Sequence, residues 1–154
     1  MERSLSRREF ALAVGGAMAV ALVAGREPAG ATPAAMQEAI AKVVGTRPVG
    51  QGRVTLELPP LVENGNTVPL TVSVESPMTQ ADHVRALHVF TEKNPQPEVV
   101  TFRFGPRAGR ARVATRIRLA DTQSVTAIAE LSDGSLWSTR AAVVVTLAAC
   151  LEDA

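Results

Sequence analysis

Ala111–Leu131, ARVATRIRLADTQSVTAIAEL, is the stretch whose pattern decides the fold. In its first half Val113, Thr115, Ile117 and Leu119 alternate with Arg112, Arg116 and Arg118. In its second half Val125, Ala127, Ala129 and Leu131 alternate with Ser124, Thr126 and Glu130. Successive side chains of a strand point to opposite faces, so a period of two means a dry face and a wet one.

Outward from this stretch the same period recurs. Val54, Leu56 and Leu58 carry it, as do Val68, Leu70, Val72 and Val74, and then Val100, Phe102 and Phe104. Asn64-Gly65, Asn94-Pro95, Gly105-Pro106 and Asp133-Gly134 punctuate the runs as turn or loop chemistry. Asp133-Gly134 predicts a tight hairpin between Ala127–Leu131 and the run through Trp137. A last strand is expected over Ala141–Leu147, apolar on both faces and therefore central or covered. Seven or so short strands at such intervals predict an all-β fold, an immunoglobulin-like antiparallel β-sandwich. Ahead of it the period is near 3.6. Met36, Ile40, Val43 and Val44 share one face of a predicted helix over 35–44, with Gly45 as its stop. The apolar stripe is expected to pack on the domain or a partner rather than on a membrane.

The chain has 154 residues, enough for one domain with one core. Within the domain no apolar run reaches the roughly 20 residues of a membrane span. There is no tyrosine and one tryptophan, the formal charge is +1, and no basic run occurs. These features argue against a nucleic-acid partner. Residues 1–31 differ in kind. Ser6-Arg7-Arg8-Glu9-Phe10 precedes the apolar stretch Ala11–Ala24, and Ala29-Gly30-Ala31 offers small residues at a cleavage position. This is the layout of a secretory signal with a twin arginine, expected to be cut after Ala31 and to deliver the protein to the periplasm without stable membrane insertion. Residues 1–31 hold four basic and three acidic residues, leaving twelve of each. Long-range charge steering is then not the main route to a partner.

Candidates for chemistry are few. His83 and His88 are expected on one strand but on opposite faces, as surface or locally satisfied histidines. A metal site needs more convergent ligands than such a pair, so neither a metal nor a cofactor is expected. No Ser-His-Asp arrangement or phosphate-binding glycine loop is legible, so no catalytic residue is assigned. Arg112, Arg116 and Arg118, with Arg103, Arg107 and Arg110 upstream, form either a surface for an acidic partner or the charged wet side of a strand. Trp137 is expected to pack in the core or an interface. Cys150, the single cysteine, has no intrachain partner and lies beyond the last apolar strand. A thiol placed there can attack, be oxidised or carry a group, or it can be incidental.

Three stretches, Leu58–Thr79, Glu92–Phe104 and Ala111–Gly134, together with the leader, resemble the SoxY family of periplasmic sulfur-carrier proteins. The combination of Glu63-Asn64-Gly65, Val68-Pro69 and Ser76-Pro77-Met78 carries the resemblance. It implies a covalent carrier rather than an enzyme, paired as a heterodimer with a SoxZ-like β-sandwich protein. It also implies that Cys150 is the attachment residue for thiosulfate-derived sulfur, served in turn by the enzymes of the Sox system. The expected organisation is a signal over 1–31, a domain over 32–147 and a carrier arm over 148–154. The family's arm ends in Gly-Gly-Cys-Gly-Gly, whereas this chain has Ala148-Ala149-Cys150-Leu151-Glu152-Asp153-Ala154. Alanine is stiffer than glycine, Leu151 adds bulk, and the two carboxylates disfavour a thiolate and repel an anionic substrate. The alternative function is a non-catalytic assembly protein with a degenerate arm. Disulfide-linked dimerisation through Cys150 is a third reading.

Overall fold

The computed structural model describes residues 32–149. The expected leader and Cys150 lie outside the described residues. The order of elements is α1 (Pro33–Val44), β1 (Val49–Gln51), β2 (Val54–Glu57), β3 (Leu61–Val62), β4 (Val68–Val74), β5 (Val84–Thr91), β6 (Glu98–Arg103), β7 (Ala111–Ile117), β8 (Gln123–Leu131) and β9 (Leu136–Val145). The strands form two sheets, β1-β9-β8-β5-β6 with β3 also beside β9, and β2-β4-β7. The expected sandwich is therefore what folds, with the helix as a third layer.

The alternation places the core as expected. Leu70, Val72, Val125 and Ala127 are buried between the sheets, joined by Leu87 and Val89 of β5, for which no alternation was read, and by Val143. Where the outer face of the larger sheet is also apolar, at Phe90, Ile128 and Leu136, helix α1 covers it with Met36, Ile40, Val43 and Val44. The helix starts earlier than its apolar period suggests. Thr32 caps it by accepting from the Ala35 amide at 3.2 Å, and Pro33 opens the first turn, where a missing N–H costs nothing. Gly45, at φ 63°, ends it.

Three strand expectations need correction. The last strand is one ten-residue element, Leu136–Val145, rather than a separate run over Ala141–Leu147. It is flanked on both sides, by β8 antiparallel and by short β1 and β3 in parallel. Its far end is not covered, because Val144 is 48% exposed. Such two- and three-residue strands are too short to show a period. His83 precedes β5 instead of sharing it with His88, and Arg118 falls just beyond β7. The hairpin at Asp133-Gly134 forms as read. Gly134 takes φ 82°, and the Leu131 amide donates to the Ser135 carbonyl at 3.0 Å.

Candidate functional site: the root of the C-terminal arm

After β9 the chain is secured link by link up to Ala149. Thr146 donates its amide to the Val62 carbonyl at 3.0 Å, and Leu147 accepts from the Gly65 amide at 2.8 Å. Leu119 then donates to the Gly65 carbonyl at 2.9 Å and accepts from the Ala149 amide at 3.1 Å. Thr122 braces the end of β9, receiving the Val145 amide on its hydroxyl at 3.0 Å. The last of these bonds falls on the residue before Cys150.

Gly65 is central to this arrangement for a steric reason. A β-carbon built on it would lie 2.4 Å from the Leu119 carbonyl oxygen and 2.8 Å from the Ala149 nitrogen. Only a residue without a side chain lets the two backbones approach this closely. Asn64 holds the turn by accepting from the Asn66 amide at 2.9 Å. The Asn64-Gly65 pair was legible as a turn, but its contact with a segment more than eighty residues away was not.

A second layer holds Leu119. Asn94 is buried, donates to the Arg118 carbonyl at 2.7 Å and accepts from the Ala120 amide at 3.0 Å. Gln123 donates to the same Asn94 oxygen and accepts from the Lys93 amide. Asn94 thus ties the β5–β6 connection to the strip on which the arm rests. Its signal in the sequence was only the Asn-Pro pair.

Beside the root lies an apolar rim. Leu61 and Val144 are register partners, exposed by 59% and 48%, and Leu147, exposed by 63%, follows on the same segment. These are the large apolar side chains that the described residues leave exposed.

The other candidates stay apart from this root. His88 is buried on β5, its Nδ1 lying 2.8 Å from the Thr101 hydroxyl and 3.1 Å from Glu98 Oε1. Thr101 donates to Glu98 at 2.5 Å, and this bond, followed by that from His88, holds the Glu98 carboxyl below its usual range. His83 Nδ1 is 3.1 Å from the Thr79 carbonyl. Both histidines are locally satisfied, as expected. Among the described residues no three His, Cys, Asp or Glu side chains converge as metal ligands. Trp137 packs on Gly50, where a β-carbon would meet the ring at 2.9 Å, and Arg53 lies 5.0 Å from the ring centroid. Arg112 and Arg116 point outward from the smaller sheet, Arg112 lying 3.9 Å from Glu57. Met78 of the Ser76-Pro77-Met78 segment takes φ 51° and is buried, with its sulfur accepting from the Val84 amide. That turn drives a side chain into the core and does not contribute to the root.

The fold is thus a helix-covered β-sandwich whose C-terminal segment is hydrogen-bonded to the body up to Ala149. The family model for the sulfur oxidation protein SoxY matches residues 40–150, and the chain belongs to the SoxY family. The sulfur carrier protein SoxY from Chlorobium limicola f thiosulfatophilum is similar in structure, with a TM-score of 0.62 and 28% identity over 74% of this chain and 98% of that one. The superoxide reductase (neelaredoxin) from Ignicoccus hospitalis, at a TM-score of 0.55 and 20% identity, covers 61% of this chain and 80% of its own. The superoxide reductase from Nanoarchaeum equitans, at 0.52 and 15%, covers 62% of this chain and 100% of its own. These two share the fold. No curated protein sequence matches the chain significantly.

Proposed function

We propose that the protein is a periplasmic sulfur carrier that holds thiosulfate-derived intermediates covalently on Cys150, paired with a SoxZ-like β-sandwich protein. The observation that carries this reading is the series of backbone bonds ending on Ala149, one residue before the single cysteine, at the end of the family match. A carrier needs a fixed point of departure and a free reactive tip. The bonds through Gly65 and Leu119 supply the first, and Cys150 is the candidate for the second.

The chemistry follows from the thiol. The Cys150 thiolate joins the outer sulfur of thiosulfate in a new S–S bond. The thiol proton goes to solvent and two electrons go to a redox enzyme of the Sox system. The protein is therefore a substrate for partner enzymes rather than an enzyme, and it needs no cofactor of its own. A covalent tether keeps the intermediate at high effective concentration near those partners. The exposed rim at Leu61, Val144 and Leu147 offers apolar area beside the root where a partner could seat. Export by the twin-arginine route, with removal of residues 1–31, would place the carrier where these partners work.

Intact mass tests the reading. After incubation with thiosulfate and the conjugating enzyme, the protein is expected to gain a thiosulfate adduct that reductant removes and that Cys150→Ser never acquires. The Leu151-Glu152-Asp153 end favours a second reading, in which the sandwich is kept for assembly and the arm no longer carries sulfur. That reading predicts a stable heterodimer without any adduct. Dimerisation through Cys150 predicts instead a species of twice the mass on a non-reducing gel.

A further inference from the structure

We infer that the open flank between β6 and β7 is a docking site for an extended, acidic segment of a partner protein. The inference does not depend on the carrier reading, although one end of this flank, at Asn94 and Arg118, adjoins the layer that holds Leu119. β6 pairs only with β5, and β7 only with β4, so among the described residues each is the free edge of its sheet. Free edges present a row of unpaired N–H and C=O groups that an added strand can satisfy. Between the two edges runs a cleft of about 340 Å³ lined by Val99, Val100, Phe102, Thr115, Ile117 and neighbours. No residue of β6 is fully buried; Val99, Val100 and Phe102 are all half-buried. An alternating strand laid there has a ladder for its backbone and an apolar floor for every second side chain.

Charge selects the occupant. Six arginines lie between Arg103 and Arg118, and there is no carboxylate between Val99 and Ala120. Arg112 is the one with an acidic group within 4 Å; among the described residues Arg103, Arg107, Arg110, Arg116 and Arg118 have none. Six in one stretch, in a domain whose remaining charge is net acidic, make a concentrated basic field beside an unfilled cleft. Arginine also suits this use, because its planar fork binds carboxylates in two-point geometry.

The test is a titration of the ¹⁵N-labelled protein with two ten-residue peptides, one alternating Glu and Val, the other alternating Lys and Val. The Glu peptide is expected to shift amides of residues 98–103 and 111–118, with at least tenfold higher affinity than the Lys peptide. Arg116→Glu with Arg118→Glu should weaken it at least tenfold, as should Arg107→Glu with Arg110→Glu. Lys42→Glu, an equal charge change on exposed helix α1, should leave it unchanged. Equal binding of both peptides, no shifts at millimolar peptide, or indifference to the charge reversals would overturn the inference. So would tighter binding after Glu152→Gln with Asp153→Asn, which would mean that the chain's own acidic end is the occupant.

Discussion

Gly65 lacks space for even one methyl group, since its missing β-carbon would overlap the Leu119 carbonyl and the Ala149 amide. Gly65→Ala must therefore move backbone rather than a flexible side chain. We expect a loss of about 2–3 kcal/mol in urea unfolding, with the Ala149 amide losing hydrogen-exchange protection well before the core strands. Protection of Ala149 that matched the wild type would show that the root is held by other means. A second residue-scale prediction concerns Glu98, whose carboxyl is held low first by the Thr101 hydroxyl and then by His88. A carboxyl depressed on folding adds stability above its unfolded pKa, and that stability is lost as pH falls through the lower folded value. The margin of wild type over Glu98→Gln should be steady near pH 6 and close toward pH 3, as read from urea midpoints. Because the Glu98 side chain is 42% exposed, the margin should stay below about 1 kcal/mol. The two residues differ in how far the sequence disclosed them. Gly65 was visible as half of an Asn-Gly turn, but close approach to a distant backbone leaves no local mark. Glu98 and Thr101 are three apart, and nothing in that spacing announces a histidine on the neighbouring strand.

Helix α1 depends on tertiary contact for its stability. Twelve residues are marginal for a helix alone, so its hold on Phe90, Ile128 and Leu136 matters more than propensity. Met36→Ala should cost about 2–4 kcal/mol, and Thr32→Ala about 1 kcal/mol through loss of the cap. Both are measurable from urea unfolding followed by far-ultraviolet circular dichroism. A Met36→Ala midpoint within error of wild type would mean that the helix is not seated on the sheet. The apolar stripe made this helix readable, and its true start was written in Thr32-Pro33, outside the stripe. Strands with one wet face were equally readable. β5 and the first half of β9 were harder, because β5 is buried on both faces and β9 alternates only in part. β1 and β3 exist through pairing with β9 rather than through any pattern of their own.

At the scale of the molecule, three features of the fold carry the account. The space between the sheets holds the core, the Gly65–Leu119 strip bonds the chain up to Ala149, and the β6–β7 flank carries six arginines, of which Arg112 has a carboxylate within 4 Å. The sandwich followed from alternation together with turns at short intervals, because burying one face of each strand leaves few other solutions. Family membership rests on the match over residues 40–150. The proposed role of Cys150 rests on its being the single cysteine past the last strand and on the family resemblance; the structure adds the backbone bonds that hold the chain up to Ala149. The most direct measurement is peptide mapping by mass spectrometry of the protein isolated from cells grown on thiosulfate. The carrier account predicts sulfur-bearing adducts confined to the peptide that contains Cys150 and released by reductant. An unmodified Cys150 peptide throughout active thiosulfate oxidation would contradict it.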